Sequence, residues 1–407
     1  MHDTIAPLVD SVLELSSSQT NLQRIQGWIA HNNDTGRGHV FTNVHLWKHS
    51  DHPVWHEIIP EECIRTVDPI ERDIACSLYR RLYKFQRIPD FDVIFPTIWV
   101  SPVLKDAGAP YGLSSKKTVG TNGTEPADNT LLYESVITCE DDLNRMHEQH
   151  YEIDEAATER LVAQYQTAVD GMLPVKVFIS TNVNPFDDMT KFRSINELMY
   201  DTIDAPQFIH QMMEFFTSSI INKLSRLEAG RWIDPESTWD FRVHADSLSC
   251  PEDRNILKNC WTYLSDQSAC VLSPDMYEEF IFPYHARLSE LFGKVYFHGC
   301  EDLTKRAKTI KALPKLNRFH ISPWSDARAI IEELGQQYVY EIHVHTANHL
   351  LTYTEEEQRK DIKRLVDIAK EYRVNADINL SDIETVVGNP EKLIRWAEIA
   401  QSVLQED

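Results

Sequence analysis

Three short runs in the second half of the chain decide the fold: GKVYFHG at residues 293–299, NRFHIS at 317–322 and YVYEIHVH at 338–345. Each is rich in β-branched and aromatic residues and has the length of a buried strand. Apolar residues at helical spacing fill the intervals between the runs. This alternation is typical of a parallel sheet with helices packed on it.

Five more runs with strand character extend the pattern along the chain. They lie at residues 40–45, 93–99, 175–181, 261–266 and 373–379. Helical spacing is found at residues 68–86, 154–170, 206–229, 275–292, 326–335 and 355–371. Eight strands, most of them followed by a long helix, predict an α/β fold of the single closed (β/α)8 TIM-barrel type. The alternative, two doubly wound domains, would need a linker that the sequence does not show.

The sequence also predicts a division into two parts. Residues 1–35, with an amphipathic pattern up to residue 30, are expected to form an N-terminal helical extension. Residues 36–407 are expected to form the barrel domain. The stretch 106–129 is poor in hydrophobic residues, and we interpret it as a long loop at the barrel mouth.

Composition limits the classes of partner. The chain has 407 residues, with 40 Lys and Arg against 63 Asp and Glu, for a net charge of −23. Such a surface repels nucleic acid and anionic lipid. No export signal and no apolar run of about 18 residues occurs, and the seven cysteines form no CxxC pair. These features predict a soluble, cytoplasmic protein that binds neither nucleic acid nor a membrane.

Active sites of TIM barrels lie at the carboxyl ends of the strands. His298 and Cys300 end one strand-like run at positions of the same parity, so both side chains point to one side, as two ligands of one metal must. The structural alternative is a buried thiol beside a hydrogen-bonded core histidine.

Asp377 lies inside the last strand-like run, where a carboxylate is costly to bury unless it is paired or bound to a metal. Together with His298 and Cys300 it would give zinc three protein ligands and an open fourth position, which is the catalytic pattern. Alternatively, Asp377 caps a turn or pairs with Arg373.

Glu341, His343 and His345 also share one parity. They could line the barrel interior as ligands or acid–base groups, or they could face the helical layer.

A further group of aromatic residues follows the first strand-like run. It consists of His45, Trp47, His49, His52, Trp55 and His56. His52 and His56 would suit a metal only on a helix, and Pro53 argues against a helix interior. We therefore expect a mouth-lining loop.

Longer motifs allow a comparison with known families. They are LSPDMYEEFIFPY at 272–284, VYFHGCE at 295–301, ISPWSD at 321–326 and GNPEKLIRWA at 388–397. Looser similarity is found at 173–177 and from 204 to 230. The chain thus resembles the uroporphyrinogen decarboxylase superfamily over residues 40–403, in the branch that contains corrinoid-dependent methyltransferases.

The resemblance implies a TIM barrel whose mouth binds a tetrapyrrole, or a small methyl donor or acceptor facing a corrinoid carrier. In the methyltransferases, an H-x-C pair and a ligand on the final strand hold zinc. His298 and Cys300 match that pair, and Asp377 stands where the third ligand is expected. Asp in place of Cys makes the site harder and argues against a thiol substrate. The Arg-rich signature of the decarboxylases is absent from residues 30–60, which argues against uroporphyrinogen as the substrate.

The resulting hypothesis is a zinc-dependent methyltransferase that works with a corrinoid (cobalamin) carrier protein on a small O- or N-methyl substrate. Glu301 would orient the zinc ligands or act as a fourth ligand. The resemblance also implies a homodimer.

Two alternatives remain open from the residues alone. A cofactor-free decarboxylase or lyase would use Asp266 or Asp377 as an acid with a raised pKa and His343 or His345 as its partner. A non-catalytic barrel would bind a small ligand or a corrinoid protein without turnover.

Overall fold

The structure is a computed structural model that describes residues 5–46, 52–105, 109, 111–122, 125–236 and 255–406. Its strands in chain order are β1 Val40–Val44, β2 Ile98–Val100, β3 Lys116–Asn122, β4 Glu125–Glu134, β5 Val175–Val177, β6 Trp261–Leu264, β7 Lys294–Phe297, β8 Leu316–Ile321, β9 Val339–His343 and β10 Asn375–Leu380.

The described helices alternate with these strands. They are α1 Ala6–Ser16, α2 Gln19–Asn33, α3 Pro53–His56, α4 Glu61–Ile64, α5 Pro69–Arg87, α6 Glu140–Leu143, α7 Glu155–Ala168, α8 Pro185–Thr190, α9 Ile195–Asp204, α10 Pro206–Ala229, α11 Pro274–Phe280, α12 Phe282–Ser289, α13 Ala307–Ile310, α14 Ala327–Leu334, α15 Glu355–Tyr372 and α16 Glu391–Leu404. Short 3-10 helices at Leu257–Asn259 and Gln267–Val271 flank β6, and a π-helical turn at Asn348–Thr352 follows β9.

A parallel sheet of six strands lies at the centre, in the order β1-β10-β9-β8-β7-β6. Beyond β6, Val183 forms a parallel bridge with Leu264, which brings the chain that follows β5 alongside the sheet. β5 in turn pairs in parallel with β2. The α/β class is therefore confirmed. A complete (β/α)8 barrel is not shown, because no pairing of β1 with β2 closes the circle among the described residues.

Each of the eight predicted strands has a counterpart, although the second one begins at Ile98 rather than residue 93. The stretch 106–129 is not simply a loop, because β3 and the first half of β4 fall inside it and pair as an antiparallel hairpin. The predicted helix at 275–292 is divided into α11 and α12, with Pro283 near the start of the second.

Helix α2 packs against the amino ends of the sheet strands. The backbone carbonyl of His31, near the end of α2, accepts a hydrogen bond from the side chain of Asn375, the first residue of β10. Nζ of Lys294, the first residue of β7, lies 2.8 Å from Oδ1 of Asn33. The division into an extension and a barrel domain stays a prediction. Of the helices in the described part of the chain, none has the length and apolar character needed to cross a bilayer.

Candidate functional site

Side chains of successive residues in a strand point to opposite faces of the sheet. In the central sheet one of these faces is apolar and the other is polar. Residues such as Phe297, Phe319 and Ile342 face the apolar core that the helices complete. The opposite side, which we call the polar face, carries buried polar side chains: Arg318, His320, Glu341, His343, Asn375, Asp377 and Asn379. Glu341 and His343 therefore lie with Arg318 and Asp377, and not against the helical layer.

Arg318 joins the two carboxylates of the polar face. Its Nη2 lies 2.6 and 2.8 Å from the two carboxylate oxygens of Asp377 and 3.2 Å from Oε2 of Glu341. All three side chains are 1% exposed or less. Removing one partner of such a buried set leaves an uncompensated charge, which costs about 3–5 kcal/mol.

Helix α2 contributes two more partners at the amino end of the polar face. Oδ1 of Asn32 accepts a hydrogen bond from Nη1 of Arg318 at 3.0 Å. Nε2 of His31 lies 3.3 Å from Oδ1 of Asp377. Burial lowers the pKa of His31, so its neutral ring donates this bond.

His343 lies on the side of this network nearer the carboxyl ends of the strands. Its Nε2 is 2.8 Å from Oε1 of Glu341, and its Nδ1 is 3.9 Å from Oδ2 of Asp382, which follows β10. A carboxylate on one nitrogen fixes the orientation of an imidazole. Contacts thus run without a break from Asp377 through Arg318 and Glu341 to His343.

Aromatic rings continue from His343 across the neighbouring strands. The His343 ring lies 4.2 Å from His320, whose ring stacks on His298 at 4.0 Å with 16° between the planes. Tyr263 of β6 lies 4.9 Å from His298. Nδ1 of His320 lies 2.6 Å from the carbonyl oxygen of Gly299, so in the neutral ring Nδ1 carries the proton and Nε2 the lone pair.

The proposed zinc ligands do not form a ligand set in this arrangement. Both oxygens of Asp377 contact a guanidinium nitrogen, whose positive charge disfavours a second cation at that carboxylate. In the parts of the chain that the structure describes, no three His, Cys, Asp or Glu side chains are grouped to hold a metal ion. His298 and Cys300 follow β7 as the sequence places them, but the predicted pairing of Asp377 with Arg373 is replaced by pairing with Arg318.

Glu301 lies just beyond β7 with its carboxylate folded back over the chain. Its Oε1 is 3.1 Å from Nη1 of the buried Arg306. A Cβ at Gly299 would lie only 2.8 Å from Oε2 of Glu301, so glycine makes room for this position. Burial raises the pKa of Glu301, and its own backbone N–H and Arg306 oppose the rise. Arg306 thus holds the Glu301 carboxylate near the strand ends.

Asp266 forms hydrogen bonds that connect buried elements near the strand ends. Its Oδ2 lies 2.6 Å from Nε2 of His285, and its Oδ1 accepts the backbone N–H of Asp187 at the start of α8. Burial raises the pKa of Asp266 well above its ordinary value and lowers that of His285 to about 3. The Asp266 side chain is 1% exposed and connects α12 with α8. This geometry favours a structural role over contact with substrate.

His345 lies two residues beyond His343 and is partly exposed. Its ring and that of Trp324 form a T-shaped pair with centroids 4.9 Å apart, and its Nδ1 accepts a hydrogen bond from the backbone of Asn348 at 3.4 Å. His52, which precedes α3, lies at the same end of the sheet, because its Nε2 is 3.2 Å from Oε2 of Glu384, beyond β10. Trp47 and His49 of the predicted loop lie outside the described residues.

Sequence reasoning missed Arg318, His320 and His31. Arg318 and His320 are polar residues of one parity inside an apolar run, the same signal that drew attention to Glu341 and His343. His31 gave no such signal, because only the packing of α2 against β10 brings it to Asp377.

Comparison with known proteins adds little to this geometry. No protein-family model matches the chain, and no curated protein does. Among solved structures, a methyltransferase from Methanosarcina mazei is similar at a TM-score of 0.42 and 11% identity, over 72% of this chain and 77% of that chain. We draw no functional argument from a likeness at this level, and membership of the uroporphyrinogen decarboxylase superfamily stays a prediction.

Proposed function

We propose that this chain is an enzyme of the lyase type, which releases carbon dioxide from a small carboxylic acid by general acid–base catalysis without a metal. The observation that carries the proposal is the contact of His343 with Glu341 at 2.8 Å, on the polar face and near the carboxyl ends of the strands. Geometry of this kind, with a carboxylate orienting an imidazole, is what a proton-transferring histidine requires.

Each group has one task in this reaction. The substrate's bond from carbon to its carboxylate breaks, the electron pair stays on the carbon, and that carbon takes the proton from Nδ1 of protonated His343. Carbon dioxide leaves, and His343 regains its proton from water. Glu341 compensates the charge of the protonated ring through Nε2, and Arg318 holds Glu341 in place.

Carbon dioxide release from a panel of small aromatic and aliphatic carboxylic acids tests the proposal, with and without a chelator. We expect turnover that survives chelation and falls roughly 10²- to 10⁴-fold in His343→Gln. His150→Gln is the matched control, because His150 is 39% exposed and lies near α7. Turnover that needs a metal, or that His343→Gln leaves intact, would contradict the proposal.

Methyl transfer is the second candidate. The observation in its favour is the position of His298 and Cys300 directly after β7, at positions of the same parity. A zinc ion there would need further donors in place of Asp377, since Arg318 holds that carboxylate. Zinc, the corrinoid carrier protein and the homodimer stay predictions. About one zinc per purified chain, lost in Cys300→Ser, would favour this candidate over the lyase.

A further inference from the structure

Trp324 lies near the carboxyl ends of the strands but has no role in the proposed acid–base chemistry. It lies three residues beyond β8, and 64% of it is exposed. Single apolar side chains on a surface are ordinary. Trp324 differs in two respects. The chain that carries it is held by hydrogen bonds, and its ring contacts the ring of His345.

Hydrogen bonds fix the loop that carries Trp324. Oγ of Ser322 donates to the carbonyl of Glu301 at 2.7 Å and accepts the backbone N–H of Trp324 at 3.3 Å. Oγ of Ser325 accepts the backbone N–H of Leu303 at 3.0 Å. Pro323 restricts the backbone just before the tryptophan. The indole is therefore held ready, and binding on it would cost little conformational entropy.

His345 sets the orientation of the Trp324 ring and therefore of any ring stacked on it. The two rings meet edge to face at 84°, which sets the plane of the indole, and a bond from Asn348 orients His345 itself. His345 lies two residues beyond the end of β9, and two residues of fully extended chain span at most roughly 7 Å. A ring stacked on Trp324 could carry a short side arm to His343.

We infer that Trp324 is the binding platform for a planar aromatic ring of the substrate, with His345 at its edge. This inference deepens the proposed function, on which it rests, by naming arenes as the substrate class. Beyond His343, the rings of His320 and His298 follow at successive distances of 4.2 and 4.0 Å. The net charge of −23 favours a ring system with few negative charges.

Calorimetric titration of the full chain with 1-naphthol and with decahydro-1-naphthol tests the inference. The two probes have similar size, but only the first has a flat π-system. We expect 1-naphthol to bind about two- to tenfold more tightly, which is the gain that an aromatic pair contributes beyond its buried area. Trp324→Leu should abolish this preference, and Trp324→Phe should keep most of it.

Tyr200→Leu is the matched control, because Tyr200 is also aromatic, is 70% exposed and lies on α9. It should leave the preference for 1-naphthol unchanged. Equal affinity for both probes, or a preference that Trp324→Leu retains, overturns the inference. A Trp324→Leu variant that changes only the sedimentation behaviour also overturns it, and assigns Trp324 to a protein interface. These binding results do not depend on turnover, so the inference and the lyase proposal can fail separately.

Discussion

A single nitrogen of Arg318, Nη2, contacts both carboxylate oxygens of Asp377, at 2.6 and 2.8 Å. The same nitrogen lies 3.2 Å from Glu341, which in turn contacts His343. Asp377 is thus part of the buried network of charges that supports His343. Because Arg318 is one cation beside two buried carboxylates, the network depends on it for both stability and the orientation of Glu341.

Replacing Arg318 by Met should destabilise the fold strongly. The substitution keeps most of the side-chain length but leaves the carboxylates of Asp377 and Glu341 buried without their cation. We expect the free energy of unfolding to fall by about 3–5 kcal/mol in urea denaturation.

Arg328→Met provides the control for that prediction. Arg328 pairs with Glu371 on the surface, where the two side chains are 45% and 53% exposed. Its loss should cost about 0–1 kcal/mol. Equal effects of the two substitutions would show that the Arg318 network has no special role in stability.

Stability should depend on pH through Asp361 of α15. Its pKa is lowered mainly by the hydrogen bond from His349, whose Nδ1 accepts the indole N–H of Trp396. A carboxyl whose pKa is lower in the folded state stabilises the fold above its ordinary pKa of 3.8, and this contribution is lost as the pH falls below that value.

Asp361→Asn should therefore cost about 1.5–3 kcal/mol at pH 7, as expected for a hydrogen bond to a charged group, and much less near pH 2.5. Denaturation at both pH values measures the difference. Asp367→Asn on the same helix is the control, since Asp367 forms only an exposed pair with Lys363. A pH-independent cost of Asp361→Asn would refute this account of the bond.

Gly299→Ala should displace the Glu301 carboxylate while leaving the chain folded. The added Cβ would lie 2.8 Å from Oε2 of Glu301 and 3.1 Å from Cδ2 of Leu303. The carboxylate sits at the end of a flexible side chain and can move away, so we expect a loss of about 1 kcal/mol in the free energy of unfolding, measured by urea denaturation.

Gly27→Ala tests whether any added methyl group has this effect. The nearest atom to a Cβ at Gly27 is 3.7 Å away, an ordinary contact, and the residue lies within α2. This variant should be as stable as the natural chain or more stable, because Ala favours a helix. Equal stability of Gly299→Ala and the natural chain would contradict the close approach of Glu301 to residue 299.

Strand periodicity predicted most of the fold. The runs at 261–266, 317–322 and 338–345 contain β6, most of β8 and β9, because buried parallel strands are continuous apolar segments. The hairpin of β3 and β4 was missed, since its residues are largely polar and its pairing is antiparallel.

Parity on a strand placed Glu341 and His343 on one side, and the structure puts them on the polar face. Parity could not show which cation balances Asp377. Arg373 is close in sequence, but Arg318 on β8 is close in space, since β9 is the only strand between β8 and β10. Long-range pairing of this kind depends on strand order, which local sequence patterns do not specify.

Anomalous diffraction at the zinc edge, from crystals soaked in zinc, tests the central claim most directly. We predict that Arg318 keeps both carboxylate oxygens of Asp377 and that no zinc peak lies within coordinating distance of them. A zinc ion bound jointly by His298, Cys300 and Asp377, with Arg318 displaced, would contradict the account and restore the metal-dependent mechanism.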